Sequence, residues 1–272
     1  MTEPDHLFRI GGVEVARYRI DTADLDPTLG RRPHLHPIRT LGGTVVTDTQ
    51  PADHRWHLGM SIAVPDVEGT NFWGGRSYRA ADGYQPRDDH GIIEHASWHH
   101  HDAGSAEHEL HWVGRTGEVL LHEHRKLAAL EGDGFWTLAI TTRLRNVTGR
   151  PVALGSPGSH GRVGAGYGGL FWRLPPGTPE VSGPDRVGED EVNGSVSPWL
   201  AVRGADHTLV FSTSDGDPWF VRVAGYPGVG TAFAWDAPLP LEPDAELQRT
   251  LRVAVADGQR DAGELAQLGS AR

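Results

Sequence analysis

Apolar and polar residues alternate along most of the chain at the two-residue period of a half-buried β-strand. The clearest example is residues 135–144, where β-branched and aromatic side chains alternate with polar ones. An antiparallel strand with one solvated face requires this pattern. Comparable runs predict strands at residues 13–20, 107–113, 119–127, 209–212, 219–223 and 247–255.

Helical periodicity is confined to the C-terminal end. Residues 260–268 hold Leu265 and Leu268 three positions apart, which predicts a short terminal helix. Residues 175–198 are rich in Gly, Pro and acidic residues and predict a long surface loop. We find no fixed-period repeat. The pattern predicts one antiparallel β-sandwich domain over residues 1–272, with less than about a tenth of the chain in helix, where about a third is usual.

Composition agrees with this prediction and removes several classes of function. The chain has 36 Gly and 19 Pro, as expected for many turns, and no Cys, which excludes disulfides and thiolate chemistry. Its 25 Lys+Arg against 36 Asp+Glu give a net charge of −11, and no basic cluster suits a nucleic acid. No apolar run is long enough to span a membrane or to act as a signal peptide. We therefore expect a cytoplasmic protein.

A first group of candidate residues is rich in histidine. His34 and His36 point to the same side of an extended segment, and His54 and His57 follow in a nearby loop. Arg39 lies between these two pairs. Such a group can bind a metal or transfer protons near neutral pH. Alternatively, scattered histidines on a β-surface merely hydrogen-bond the backbone.

A second group combines aromatic and polar side chains. Trp56 lies among the early histidines, and Asn71, Trp73 and His90 follow. An exposed aromatic ring can stack on the C–H face of a sugar while polar groups bond its hydroxyls. Core packing is the competing interpretation of each tryptophan, but Trp56 and Trp73 are flanked by polar loop residues.

Two further histidine clusters invite a metal interpretation. His122 and His124 share one strand face, but the next Glu is Glu131, so the metal-binding spacing of a cupin is absent. The consecutive residues His99, His100 and His101 have diverging side chains and predict a solvated turn.

A fourth segment predicts a hairpin that ends in candidate chemistry. Residues 145–154 read as two strands joined by an Asn-x-Thr-Gly turn, and His160 and Arg162 follow among glycines. Glycines allow the backbone to approach a ligand closely. The hairpin is therefore expected to deliver His160 to the rim of a sheet.

The hairpin with His160, and a closing strand after the proline-acid turn at residues 240–247, resemble galactose mutarotase-like supersandwich proteins. This resemblance implies an all-β supersandwich fold. It also implies that His160 lies in a sugar site and can act as a proton donor.

A narrower resemblance rests on several motifs in the same order along the chain. His34-Leu35-His36-Pro37, Asp53-His54-Arg55-Trp56-His57, Asn71-Phe72-Trp73-Gly74-Gly75, Asp89-His90-Gly91 and the Gly-Tyr-Gly-Gly-Leu-Phe-Trp-Arg segment that ends at Arg173 are together similar to the PmoA-like family. Proteins of that family carry the label of a methane monooxygenase subunit. This chain lacks the apolar spans that a membrane subunit needs.

The sequence thus favours an enzyme that acts on a sugar by proton transfer, as in epimerisation, β-elimination or hydrolysis. The predicted catalytic residues are His160, His57, His54 and Arg162, and the predicted substrate-binding residues are His34, His36, Arg39, Trp56, Asn71, Trp73, His90 and Arg173. At least three of the six histidines in these sets are expected to line one cleft, with Trp56 or Trp73 at its edge.

Two alternatives stay open at this point. A non-catalytic sugar-binding module would use the same aromatic and polar groups, and a His/carboxylate metalloenzyme would need three convergent ligands. No cofactor is predicted, and a divalent metal is the one addition that the histidines allow. The expected partner is a small carbohydrate, with neither nucleic acid nor membrane, and the sequence leaves the oligomeric state open.

Overall fold

The computed structural model describes residues 5–270, which form mainly antiparallel β-structure. The first ten strands are β1 (His6–Ile10), β2 (Val13–Arg19), β3 (His34–Ile38), β4 (Met60–Ala63), β5 (Asp66–Val67), β6 (Ser77–Arg79), β7 (Gly83–Gln85), β8 (Ile92–His101), β9 (Ser105–Val113) and β10 (Val119–Glu131). The next ten are β11 (Phe135–Asn146), β12 (Val152–Gly155), β13 (Gly169–Arg173), β14 (Glu180–Ser182), β15 (Trp199–Arg203), β16 (His207–Ser212), β17 (Trp219–Arg222), β18 (Gly228–Ala232), β19 (Leu239–Leu241) and β20 (Glu246–Asp257). The helical elements are a 3-10 turn (Pro27–Leu29), α1 (Glu189–Val192) and α2 (Ala262–Ser270).

Two large sheets make up most of the structure. The seven-stranded sheet has the order β1-β2-β3-β4-β13-β18-β17, and the eight-stranded sheet has the order β14-β15-β16-β20-β11-β10-β9-β8. A small sheet, β19-β12-β5, and a separate hairpin, β6-β7, lie outside these two. Every strand pairing within the four sheets is antiparallel.

The main core lies between the two large sheets. In β9 each second side chain is buried, so Leu110 and Trp112 face inward while Glu109 stays partly exposed. Trp172 of the seven-stranded sheet meets Phe211 of the eight-stranded sheet edge to face at 5.5 Å. The alternating sequence pattern therefore buries one face of each sheet against the other.

One buried ion pair also lies in this interior. Both oxygens of Glu123 accept hydrogen bonds from Arg125, at 2.7 and 2.8 Å, and Trp112 and Thr142 donate to the same carboxylate. Arg125 additionally donates to the Tyr18 hydroxyl. Burying charge is costly unless it is paired and hydrogen-bonded, and here each partner is satisfied by the other.

The all-β antiparallel class with little helix is confirmed. The predicted strands are all present, and the terminal helix occurs as α2. Among the described residues, no helix is both long enough and apolar enough to cross a bilayer. The single domain over residues 1–272 stays a prediction, and its two ends, residues 1–4 and 271–272, lie outside the described residues.

Three local predictions were wrong. Residues 175–198 contain β14 and α1 and so are not one continuous loop. The triplet that ends at His101 extends β8 instead of turning, because it pairs with β9.

The predicted hairpin at residues 145–154 is the third error. Strand β11 pairs with β10 and β20, whereas β12 pairs with β19 and β5, so the two strands lie in different sheets. The buried Asn146 side chain donates to the carbonyl oxygens of Arg150 and Leu241. These bonds stabilise the turn by which the chain passes from the eight-stranded sheet to the small sheet.

Candidate functional site

A cavity of about 260 Å³ opens beside β17 and the β6-β7 hairpin, and we call it the arginine pocket. It is lined by His54, Trp56, His57, Trp73, Gly74, Arg76, Tyr84, Arg162, Ala165, Tyr167, Phe220, Arg222 and Tyr226. Aromatic rings and arginines thus make up most of its surface.

A fully buried arginine, Arg32, supports the backbone of two lining residues, Trp56 and Trp73, and we call this support the floor of the pocket. Arg32 donates to the carbonyl oxygens of Gly30 (2.7 Å), Trp73 (2.9 Å) and Trp56 (3.0 Å), and to the Ser61 hydroxyl (3.0 Å). Burial lowers the pKa of Arg32 to about 9, so its guanidinium is still charged at neutral pH. One side chain therefore holds the backbone of both pocket tryptophans.

The segment Asn71 to Gly75 folds as a tight turn that presents Trp73. The Asn71 side-chain oxygen accepts from the backbone N–H groups of Trp73 and Gly74, at 2.9 and 2.8 Å. Gly74 has a φ of +101°, and a Cβ there would lie 2.5 Å from the Leu29 carbonyl oxygen. The glycine is required by this close approach. Asn71 is itself buried and so shapes the pocket from behind.

Two histidines lie side by side at one end of the pocket. The rings of His54 and His57 stack at 4.8 Å. His54 Nδ1 donates to the Asp53 carboxylate at 2.8 Å, which directs Nε2 away from that carboxylate. Among the described residues, His54 Nε2 has no hydrogen-bond partner of its own. His54 is therefore an oriented, partly exposed imidazole in the pocket wall.

His57 differs from its neighbour in both burial and charge. It is 1% exposed, and burial lowers its pKa to about 2, so the ring is neutral near pH 7. An Arg173 guanidinium nitrogen lies 3.5 Å from His57 Nδ1. Because arginine can only donate, this contact favours the tautomer with hydrogen on Nε2. His57 is thus suited to donating a hydrogen bond and not to carrying charge.

The remaining wall is aromatic. Trp73 packs at 4.8 Å against both Tyr167 and Phe171 and is 4% exposed, whereas Trp56 is half-buried. Tyr167 and Tyr84 join their hydroxyls at 2.9 Å, and burial raises the pKa of Tyr167. Trp73 is therefore mainly a packed wall residue, and Trp56 offers more ring surface to a ligand.

Five predicted site residues line the arginine pocket: His54, Trp56, His57, Trp73 and Arg162. Asn71 and Arg173 lie directly behind its lining, through the contacts described above. The expected convergence of three histidines in one cleft with Trp56 or Trp73 is not found, because only two of the six line this pocket.

Four predicted residues instead make local backbone or hydroxyl contacts. His34 is buried and donates to the Arg32 carbonyl, and burial lowers its pKa to about 3. His36 bonds the Thr47 hydroxyl, and His90 donates to the Gly75 carbonyl. Arg39 donates to the Gly43 carbonyl in its own loop. These contacts account for the positions of the four side chains without a ligand.

His160 lies in a neighbouring cleft. Its Nε2 donates to Asp66 at 2.6 Å, and the two side chains are 40% and 26% exposed. This cleft of about 440 Å³, the His160 cleft, is lined by Pro65, Asp66, Gly69, Ser77, Tyr78, Arg79, Ala80, Ala81, Asp89, Ser156, Pro157 and His160. Residues 76–84 and 156–167 contribute side chains to both cavities.

A potential metal-binding group lies elsewhere. Ligand atoms of His99, Glu109 and His124 are all within 4.8 Å of one another, on β8, β9 and β10. In the described part of the chain, His124 also bonds Glu107 at 2.8 Å. None of these residues lines the arginine pocket. The metal alternative therefore concerns a separate surface.

Sequence reasoning missed several pocket residues. Arg222 lies on β17 and Tyr226 follows it, after a run that reads only as a core strand. Tyr84 comes from the β6-β7 hairpin. In the sequence, these residues are marked only as Arg or Tyr side chains that interrupt apolar runs. Such interruptions do not show that the residues line one cavity.

The structure defines an antiparallel β-sandwich with an aromatic, arginine-lined pocket. The chain belongs to the family described as "Family of unknown function (DUF6807)", whose model matches residues 6–269. That description does not mention PmoA, so the PmoA-like assignment stays a prediction. No curated protein is significantly similar to the chain.

The solved structures that resemble this chain include the following two. A putative aldose 1-epimerase from Escherichia coli K12 is 10% identical, with 93% of this chain and 99% of that chain covered and a TM-score of 0.47. The galactosidase domain of an alpha-galactosidase-sucrose kinase is 8% identical, with 89% and 39% covered and a TM-score of 0.46.

Proposed function

We propose that the protein is a carbohydrate-directed enzyme whose arginine pocket binds a sugar and whose His54 transfers a proton to or from it. The observation that carries this proposal is the Asp53–His54 pair at the wall of an aromatic pocket. A carboxylate on one imidazole nitrogen fixes the tautomer and aims the other nitrogen. Such a pair can serve as a general acid or base.

The pocket lining supports a sugar as ligand. Trp56 and Tyr226 offer ring faces for the C–H groups of a pyranose, and the tyrosine and arginine side chains offer hydrogen bonds to its hydroxyls. At about 260 Å³ the cavity lies just below the usual range for ligand pockets, about 300–1,000 Å³. A single sugar unit fits this volume better than a long chain.

His54 replaces His160 as the proposed proton-transfer residue. His160 lines the other cleft and is bonded to Asp66. His57 is neutral because of burial and is proposed to donate a hydrogen bond to the sugar. Epimerisation, β-elimination and hydrolysis of a sugar all use such a proton transfer, and each remains within the proposal.

A sugar panel with three readouts tests this proposal. Proton NMR follows anomeric or carbon epimerisation of free sugars, nitrophenyl glycosides report hydrolysis, and ultraviolet absorbance reports the unsaturated product of elimination. With the substrate so identified, His54→Gln should lower kcat by about a hundredfold while changing affinity only a few-fold, since the amide still hydrogen-bonds. His160→Gln is the matched control and should keep kcat within about threefold.

A sugar-binding module is the second candidate. It is favoured by one observation: among residues 5–270, no carboxylate lines the arginine pocket, so a second acid or base is not evident there. Sugar binding without turnover in any of the three readouts would select this candidate. Activity that a chelator abolishes would instead favour the metalloenzyme alternative.

The cytoplasmic location expected from the sequence stays a prediction.

A further inference from the structure

The charge of the arginine pocket is opposite to that of the protein. The whole chain carries a net charge of −11, yet the pocket is lined by Arg76, Arg162 and Arg222 together with His54. Within the described residues, its lining contains neither Asp nor Glu. A cavity with one sign of charge concentrates ligands of the other sign.

Two of the three arginines are free of any ion pair within the described range, residues 5–270. Arg162 donates to the Tyr84 hydroxyl at 2.7 Å and lies 4.9 Å from the centroid of that ring, which orients its guanidinium along the wall. Arg76 likewise has no carboxylate partner among residues 5–270. Arg222, in contrast, is anchored by Glu189 at 3.5 Å and by the Gly164 carbonyl.

The floor adds the positive charge of Arg32, which makes no ion pair within residues 5–270. Arg32 contacts only neutral acceptors, which are carbonyl and hydroxyl oxygens. This contrasts with Arg125, whose buried charge is balanced by Glu123. The carbonyl groups of Trp56 and Trp73, two residues of the lining, thus accept hydrogen bonds from a cation.

We infer that the sugar bound in the arginine pocket carries an oxyanion, a carboxylate or a phosphate, which Arg76 and Arg162 hold. A guanidinium is planar and always charged, and it matches both anions with paired N–H donors. The aromatic walls take the sugar ring, so ring and anion are recognised by different parts of the pocket. This inference rests on the proposed function, because it names the substrate class of the same site.

Ligand titrations monitored by tryptophan fluorescence test the inference. The probes are D-glucuronate, D-glucose 6-phosphate, neutral D-glucose, acetate and inorganic phosphate, each at low and high NaCl. Each charged sugar should bind at least about tenfold more tightly than glucose. High salt should weaken the binding of the charged sugars and leave the binding of glucose unchanged. Tighter binding of glucuronate identifies a carboxylate as the anion, and tighter binding of the phosphate identifies a phosphate.

Variants locate the effect. Arg162→Gln and Arg76→Gln should each weaken binding of the charged sugar about tenfold more than they weaken binding of glucose. Arg143→Gln, on an exposed position of β11 outside the pocket, is the matched control and should have no effect.

The other outcomes separate the two proposals. Equal, salt-independent affinities for glucose and both charged sugars would overturn the inference and leave the sugar proposal standing. Acetate or inorganic phosphate binding as tightly as the charged sugars would overturn the sugar proposal, and with it the sugar part of the inference. Failure of all three sugars to bind would overturn both.

Discussion

The arginine pocket and the His160 cleft share two chain segments, residues 76–84 and 156–167, but are built differently. The arginine pocket rests on buried Arg32 and contains a partly exposed histidine, His54, beside a buried neutral one, His57. The His160 cleft is larger, about 440 Å³, and its His160–Asp66 pair is exposed on the surface. Each is lined by the histidine of an Asp–His pair, Asp53–His54 or Asp66–His160, so such a pair alone does not distinguish a functional site.

The difference lies in what surrounds each pair. Beside His54 the walls are aromatic and cationic, and the floor is fixed by hydrogen bonds that Arg32 donates to carbonyl oxygens near residues 30, 56 and 73. Beside His160 the lining includes Asp66 and Asp89, and few large rings. Preorganised surroundings, more than the identity of the titratable pair, favour the arginine pocket as the site of chemistry.

The largest expected effect is on the floor of the arginine pocket. Arg32→Leu leaves several buried carbonyl groups without donors, so the free energy of unfolding should fall by about 3 kcal/mol or more. Arg79→Leu, an exposed arginine of the His160 cleft, should change it by less than about 0.5 kcal/mol. Urea unfolding followed by tryptophan fluorescence measures both. Equal losses would contradict the contrast between the two cavities.

The next effect concerns acid. The pKa of His57 is lowered from 6.5 to about 2 in the folded protein, so the unfolded chain binds the proton first as the pH falls. The stabilising contribution of neutral His57 is therefore present above pH 6.5 and declines below it. Between pH 6.5 and about pH 5, this titration should lower the free energy of unfolding of the wild type by about 2 kcal/mol. His57→Asn removes the titration, so the variant should not show this loss.

Urea unfolding at both pH values checks this prediction. Trp73→Phe, a neighbour that does not titrate, should lower stability equally at the two values and keep the wild-type slope. An unchanged slope in His57→Asn would mean that His57 is not buried and neutral.

A smaller effect is expected from the ring that the pocket exposes. Trp56→Ala should weaken sugar binding about five- to tenfold through lost stacking. Tyr78→Ala removes a ring from the His160 cleft and should leave the same affinity within about twofold. Isothermal titration calorimetry gives both values. A larger loss in Tyr78→Ala would move the binding site to the His160 cleft.

The smallest effect is expected for His160 itself. Because its contact with Asp66 is exposed to solvent, His160→Gln should cost less than about 1 kcal/mol of unfolding free energy. Thermal and urea unfolding check this value. A loss as large as that of Arg32→Leu would show that the exposed pair is a structural anchor.

Much of the fold could be predicted because strand alternation is local. The period-two pattern of β9 and β11 can be recognised from consecutive residues, and the same holds for the turn before β20. The sheet partners of β12 could not be predicted in this way. They depend on Asn146, which binds Leu241 almost a hundred residues away.

The site was predictable to the extent that its residues are neighbours in sequence. His54, Trp56 and His57 share one loop and line the same pocket. His34 and His36 share that region of sequence but lie on β3, where one is buried against Arg32. Only the three-dimensional course of the chain separates these two sets.

The hydrogen bonds of Arg32 also allow the ligand to be found without an activity assay. They join chain segments near residues 30, 56 and 73, so the pocket exists only after these segments have met. A compound that fills it binds the folded chain alone and adds RT ln(1 + [L]/Kd) to stability, about 2.7 kcal/mol at a hundredfold excess over Kd. A melting-temperature screen of small acids and sugars can therefore report the natural ligand before its reaction is known.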